Sequence, residues 1–278
     1  MATQGRRRAL GQHFLRDKGV ADAIAEAILR EANQFSCLSL LEIGPGQGAI
    51  TLPILEKWPA NGGIQKFILV ERDQKLGLQW QNYSLPSFVQ IQIADFLDLP
   101  VNQWCVAQPV GVVSNLPYSA GTALLTRLSL SFEDIPVMIL MFQEEVAKRI
   151  RAEPSTSDRG SLSLWIQNRW DVKKFLSVPP RAFSPAPQVN SEVIILTRRS
   201  KPRIEMRNCS EDEAVWQTLL KNCFAHRRKM LRTVIPCKNA LGLSGVDGTK
   251  RAEALDWDEW NRLFQATKQI RPASYEVK

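Results

Sequence analysis

Histidine is nearly missing from this chain: there are two in 278 residues, His13 and His226. A His-rich metal centre is excluded, and a Ser-His hydrolase would have to run on one of those two as its only base. The five cysteines (Cys37, Cys105, Cys209, Cys223 and Cys237) are odd in number and form no Cys-x-x-Cys. That argues against a disulfide framework or a zinc site and for buried, inert thiols. No apolar run approaches the roughly 18 residues of a membrane helix; the stretch Pro136 to Phe142 is the best and is far too short. Arg6, Arg7 and Arg8 have no apolar stretch behind them, so they do not read as a secretory signal. A soluble, cytoplasmic monomer is expected, with no metal and chemistry carried by something other than imidazole.

Acidic residues are also in deficit. The formal charge is +8, and the excess is uneven: residues 1–200 hold 21 Lys/Arg against 18 Asp/Glu, and residues 201–278 hold 15 against 10. A basic excess concentrated in the last quarter favours a polyanion through counterion release, nucleic acid being the usual case. A solvated basic surface explains the same numbers equally well. Hydrophobic residues make up 44% and charged residues 23%, ordinary for a chain that buries a core. The length suits one large domain and a small one, at about 150 residues per domain.

Short apolar runs alternate with helical spacing through the first two hundred residues. Strands are predicted at Ser39–Ile43, Lys66–Glu71, Val89–Ile93, Val110–Ser114 and Val137–Phe142, and helices at Val20–Leu29, Ile50–Trp58, Gln74–Gln81, Thr122–Leu130 and Glu144–Arg151. Uninterrupted apolar strands joined by helices imply an α/β fold, a doubly wound and mostly parallel sheet covered on both faces. Two further runs, Val172–Val178 and Val193–Thr197, flank a Pro-rich loop and predict an antiparallel hairpin closing the sheet. The polar stretch Arg198 to Asn208 reads as a linker. Glu211–Phe224, Arg227–Ile235 and Trp257–Thr267 then read as a small helical domain, so the division is 1–199 and 200–278.

The first strand runs into Glu42-Ile43-Gly44-Pro45-Gly46-Gln47-Gly48-Ala49, glycines that let backbone approach a ligand just before a helix. The second ends at Glu71, an acceptor suited to ribose hydroxyls. Gly44, Gly46 and Ala49 also satisfy the dinucleotide pattern, so the loop alone does not separate a dehydrogenase from an adenosyl-sulfonium enzyme. Glu42 beside the first glycine would be unwelcome near a pyrophosphate. Asp95, after the third strand, can accept from the exocyclic amine of an adenine, with Phe96 as an apolar wall. Both favour S-adenosylmethionine as cofactor, although Asp95 alone also fits a turn cap.

The fourth strand ends in Asn115-Leu116-Pro117-Tyr118. An adenine N6 amine is a poor nucleophile because its lone pair is delocalised into the ring. The Asn115 side-chain carbonyl and the Leu116 backbone carbonyl can accept its two protons and favour a pyramidal nitrogen. Pro117 fixes the chain there without a donor, and Tyr118 can stack on the base. Alignment and electrostatics can then carry the reaction without a strong general base. The bland reading of Asn-x-Pro is a turn at a strand end.

Taken in order, these segments resemble the ribosomal RNA adenine N6,N6-dimethyltransferases of the KsgA type. The likeness runs from Gly11-Gln12-His13-Phe14-Leu15 through Glu42–Gly48, Glu71, Asp95, Asn115–Tyr118 and Phe183-Ser184-Pro185 to Phe224-Ala225-His226-Arg227-Arg228-Lys229. It implies a Rossmann-like methyltransferase fold in which His13 and Leu15 line the cofactor pocket with Gly44, Glu71, Asp95 and Asn115. It further implies that Phe183 stacks on the target adenine opposite Tyr118, and that Arg227, Arg228 and Lys229 hold RNA. The substrate implied is a pair of adjacent adenosines near the 3′ end of small-subunit ribosomal RNA, in the immature subunit. Three positions depart from the family's usual residues: His13, Arg72 between Glu71 and Asp73, and Ser119 after the tyrosine. A large-subunit methyltransferase of the macrolide-resistance type, or a non-catalytic assembly or transcription factor on the same fold, are the rival readings.

Overall fold

The computed structural model describes residues 13–59, 63–206, 209–235 and 238–270. Arg6 to Arg8, Gly11, Gln12, Asn208 and Cys237 lie outside them. The chain divides into two compact units, 1–147 with 171–198, and 148–170 with 199–278.

In the first unit a short strand β1 (Phe14–Leu15) precedes helix α1 (Lys18–Gln34). Asp17 starts that helix, its side chain accepting from the Val20 amide at 3.1 Å. Then come β2 (Ser39–Ile43), α2 (Thr51–Glu56), β3 (Lys66–Glu71), α3 (Gln74–Gln81), β4 (Val89–Ile93), the single turn α4 (Val101–Trp104), β5 (Val110–Asn115), α5 (Gly121–Ser129) and β6 (Val137–Gln143). Every residue of β2 is buried, and β3 and β6 are buried but for Lys66 and Gln143, so the central strands carry apolar runs, while the edge strand β4 alternates and is only partly buried. Ile24 and Ile28 of α1 pack with Leu40, Phe67, Leu69, Val113 and Ile139 from four strands in one core cluster. Each such side chain contributes about 1.5–3 kcal/mol on burial.

Beyond β6 lie α6 (Glu144–Ile150), α7 (Ser161–Gln167), β7 (Trp170–Val178), the two-residue β8 (Phe183–Ser184) and β9 (Ser191–Arg198). The seven-stranded sheet has the order β4-β3-β2-β5-β6-β9-β7. The pairs β2–β3, β3–β4, β2–β5 and β5–β6 are parallel, and β9 is antiparallel to β6, with Gln143 opposite Ser191. The predicted closing strands are both there, with β9 seated between β6 and β7. Strand order reverses at β2: the chain moves out through β3 and β4, then returns to β5 on the other side. The crevice at the carboxyl ends of β2 and β5 is therefore the natural ligand position. A separate two-stranded sheet pairs β1 with β8, Leu15 opposite Phe183. Strands this short carry no periodicity, so sequence patterning did not foresee it.

The second unit holds α7, α8 (Cys209–Ala225), α9 (Leu231–Val234), α10 (Lys238–Ser244) and α11 (Trp257–Ile270). Trp216, Leu219, Leu220, Leu231, Trp260, Leu263 and Phe264 form its core, and the Trp216 and Trp260 rings meet edge to face at 5.6 Å. Leu164 belongs to that core, so the segment 148–170, which the sequence division gave to the first domain, is grouped with 199–278 instead. Asn168 fixes the return of the chain, bonding both ways to the Ile204 backbone at 2.7 and 3.3 Å. The helix predicted over 227–235 is shorter. His226 to Lys229 form a turn closed by the Lys229 amide on the His226 carbonyl, and only Leu231–Val234 is helical. The Arg227 guanidinium donates to the carbonyls of Ser157 and Arg159, the latter at 2.8 Å, which anchors the turn by its side chain.

Candidate active site

One cavity of about 430 Å³ opens at the switch point, lined by the ends of β2, β3, β4 and β5 and by residues 13–15. The glycine loop forms one wall. Gly44 and Gly46 have φ of +69° and +55°, the left-handed region that a side chain resists. A Cβ on Gly46 would also lie 3.2 Å from the Phe14 ring. Glu71 holds this loop. One carboxylate oxygen accepts from the Gly46 amide at 3.0 Å and the other from the Asp73 amide at 2.8 Å, so the end of β3 sets the shape of the β2 turn. Trp80 adds a second tie, its indole N–H donating to the Gly46 carbonyl at 3.0 Å. Asp73 in turn caps α3 through the Lys75 and Leu76 amides.

Glu42 is 2% exposed, and its carboxylate accepts from the Thr51 hydroxyl at 2.7 Å. Burial pushes the Glu42 carboxyl up to about 8, the Thr51 bond opposes this, and the nearby Glu71 adds to it. Burial likewise raises Glu71, against the pull of its backbone donors. An anionic ligand would press both carboxyls still further toward their protonated forms, so the cavity disfavours one. Asp95 accepts from the Leu97 amide at 3.0 Å, the turn-cap role, and its other oxygen lies 3.2 Å from Arg72 Nε.

At the end of β5, Asn115 Nδ2 donates to the His13 carbonyl at 3.2 Å. A carbonyl can only accept, so this contact fixes the amide orientation and leaves Oδ1 as the acceptor end. The His13 ring lies 5.3 Å from that of Tyr118, and its Nδ1 contacts the Pro185 carbonyl at 2.7 Å. The Tyr118 hydroxyl pairs with Ser191 at 2.6 Å, which holds the ring on the start of β9, and burial raises its pKa.

His13, Leu15, Glu42, Gly44, Gly46, Glu71, Asp95, Asn115, Leu116, Pro117 and Tyr118 thus all border one cavity. Phe183 does not. It is 4% exposed and packs in the core cluster with Leu15, Val178, Ala182 and Val193, behind the wall rather than in it. Arg227, Arg228 and Lys229 are exposed in the second unit. Sequence reasoning passed over Thr51, Ser191 and the Arg72–Asp95 pair. Thr51 had a signal, as a hydroxyl in the first turn after the glycine loop, but Ser191 had none.

A family model for "Ribosomal RNA adenine dimethylase" matches residues 3–269. The chain belongs to the ribosomal RNA adenine dimethylase family. Its relatives include a protein from Dinoroseobacter shibae named "Ribosomal RNA small subunit methyltransferase A", 34% identical over 268 residues, covering 92% of this chain and 90% of the relative. A protein of the same name from Chromohalobacter salexigens is 33% identical, covering 98% of this chain and 94% of its own. Among solved structures, a dimethyladenosine transferase from Plasmodium falciparum matches with a TM-score of 0.72 at 21% identity, over 92% of this chain and 98% of that one. The 23S rRNA methyltransferase ErmE matches at 0.63 and 24% identity, over 92% and 100%. At those identities the two structures share the fold with this member of the family.

Among the described residues no cluster of His, Cys, Asp and Glu is arranged to hold a metal, and no helix is long and apolar enough to cross a membrane. Cys37, Cys105 and Cys223 are buried free thiols, with burial pushing Cys37 and Cys223 up to about 12.

Proposed function

We propose that this protein transfers methyl groups from S-adenosylmethionine to the N6 amines of two adjacent adenosines near the 3′ end of small-subunit ribosomal RNA. Its partner is the immature small ribosomal subunit, met in the cytoplasm by a monomer. The observation that carries this reading is a single cavity that joins the Gly44–Gly46 loop and the Glu71 and Asp95 carboxylates to the Asn115–Tyr118 strand end. The relatives named as small-subunit methyltransferases, matched over nine-tenths of the chain, favour the small-subunit substrate over the large-subunit one.

The residues present fit the cofactor. The cavity volume lies within the roughly 300–1,000 Å³ of small-molecule sites. Gly44 has nothing within 4 Å of where a Cβ would stand, so backbone faces open space there. Glu71 and Asp95 keep lone pairs beyond those used by backbone amides, for ribose hydroxyls and an adenine amine respectively. When bound, S-adenosylmethionine supplies a methyl on a sulfonium with a good leaving group.

The protein's part is to hold the target amine. Asn115, its amide set by the His13 carbonyl, offers Oδ1 to one amine proton, and the Leu116 carbonyl offers a second acceptor. Withdrawing both protons toward acceptors raises the lone pair on nitrogen. Tyr118, fixed by Ser191, provides the face on which an unstacked base rests; a base must leave its helix to reach such a cavity. His13 and Leu15, on the β1 arm, close the cavity beside Asn115.

Transfer of labelled methyl groups to immature small subunits, with naked large-subunit RNA as comparison and nucleoside analysis of the product, tests the reading. N6,N6-dimethyladenosine in the small-subunit RNA is the expected result. Label in the large-subunit RNA alone would replace it with the resistance-type reading, and label in neither would leave a non-catalytic assembly role.

A further inference from the structure

Leu116, Pro117 and Tyr118 border two cavities. One is the large cavity described above; the other is a recess of about 10 Å³ that they share with Phe142, Gln143 and Val146. Strand order places β5 between β2 and β6. The cofactor proposed above takes the β2 side, which leaves the β6 side to the base that receives the methyl. Gln143 ends β6 there, and its backbone is fixed. It stands opposite Ser191 of β9, and the amide of the next residue, Glu144, donates to the Asn190 carbonyl at 2.9 Å. Residues directly opposite in an antiparallel pair share a face of the sheet. Gln143 therefore stands on the face of Ser191, whose hydroxyl pairs with that of Tyr118 at 2.6 Å. Its polar neighbours have partners: Ser191 has Tyr118, and Asn190 Nδ2 donates to the Glu144 carboxylate at 3.3 Å. The Gln143 carboxamide is half-buried and, among the described residues, has no hydrogen-bond partner.

Stacking on one aromatic ring fixes the plane of a base but not its rotation in that plane, which is why such contacts tolerate any base. A contact at the ring edge supplies the missing constraint, and a carboxamide is a group that adenine edges accept. Asn115 and Leu116 take the two amine protons in the function proposed above, and this inference rests on that reading. What adenine still offers beside its amine are ring nitrogens, which accept and do not donate. We propose that Gln143 is a binding residue for the target base, its Nε2 donating to a ring nitrogen of the adenine that rests on Tyr118. Tyr118 then sets the plane of the ring and Gln143 its rotation, and together they turn the amine toward Asn115. Gln143 therefore acts on alignment for transfer and not on the cofactor, which lies on the other side of the Asn115–Tyr118 turn.

Methyl transfer to immature small subunits by the full-length protein tests the assignment, in the wild type, Gln143→Ala, Gln143→Met and Gln143→Glu. Met has the reach of the glutamine without its amide, and Glu keeps the shape but replaces the donor with an acceptor. All three are expected to lower kcat by about 5–100-fold, as for a polar group left without its partner, with Gln143→Glu the slowest. Affinity for the product S-adenosylhomocysteine and the ligand-free melting temperature are expected to stay at their wild-type values. Full turnover in Gln143→Ala overturns the proposal. So does recovery in Gln143→Met, which marks mere packing against Tyr118, or in Gln143→Glu, which marks the absence of a donated bond. A loss of turnover matched by an equal loss of S-adenosylhomocysteine affinity, or by a fall in melting temperature, overturns it as well. A wild type that methylates no small-subunit RNA overturns the functional reading itself, an outcome distinct from a wild type and variants that are equally active.

Discussion

Glu42 sits in the site with almost no access to water, and its carboxyl is pushed up to about 8 against an ordinary value of 4.5. The folded chain therefore keeps a proton that the unfolded chain loses near 4.5. The stability linked to this group is fully present below pH 4.5 and is lost as pH rises through 8. Glu42→Gln retains an acceptor for Thr51 but cannot ionise. Its melting temperature relative to the wild type is expected to climb between pH 5 and 8 and level off above. Ligand-free melts from pH 5 to 9 read this directly, and a gap independent of pH would show that Glu42 is ionised throughout. Asn115 makes a different prediction. Asn115→Ala should lower turnover by about 10²–10³, the loss for one aligned polar group, with affinity for S-adenosylhomocysteine much less changed. Full turnover in that variant would remove amine activation from the mechanism.

Among the elements, the β1 arm depends most on distant partners. The Arg16 and Asp17 amides donate to the Ala182 carbonyl at 2.7 and 3.2 Å, Leu15 pairs with Phe183, and the His13 ring holds the Pro185 carbonyl. Phe183 is the buried support of this pairing. Phe183→Ala should cost about 3–5 kcal/mol, as for other buried aromatic truncations. It should also speed hydrogen exchange at the Arg16 and Asp17 amides more than in α1. A melting temperature left at the wild-type value would contradict its packed position. The glycine loop is an element of the same kind: its left-handed glycines were readable from the sequence, but Glu71 and Trp80, which hold its backbone, lie 25 and 34 residues from Gly46.

For the whole molecule, the charge is +8, densest in the last 78 residues, so affinity for RNA should fall with salt in proportion to the phosphates neutralised. Within the basic run the structure separates neighbours. Arg227 is tied to the Ser157 and Arg159 carbonyls, while Arg228 and Lys229 are exposed beside it on the same turn. Arg228→Ala is expected to reduce the slope of log affinity against log salt by about 1 without changing the melting temperature. Arg227→Ala is expected to lower the melting temperature as well, because two carbonyls lose their donor. Equal melting temperatures for the two variants would mean that the Arg227 contacts carry no stability.

Much of this was legible because local chemistry decides it. Ser39–Ile43 and Lys66–Glu71 fold as strands buried on both faces, the use a parallel sheet has for such runs, and Val89–Ile93, at the edge of the sheet, is a strand that alternates with glutamines and is only partly buried. The glycines before α2 and the acids ending β3 and following β4 mark the cavity for the same reason: backbone conformation and strand ends are local properties. The sequence by itself determined the parallel sheet and the glycine loop and acids at its carboxyl edge. Pairings across long stretches of chain were decided only by the tertiary structure. It set Phe183 behind the cavity, joined β1 to β8, passed 148–170 to the second unit and brought Arg72 onto Asp95. A two-residue strand or a single ion pair leaves no periodic trace, and its partner is chosen only when the sheet and the helices have packed.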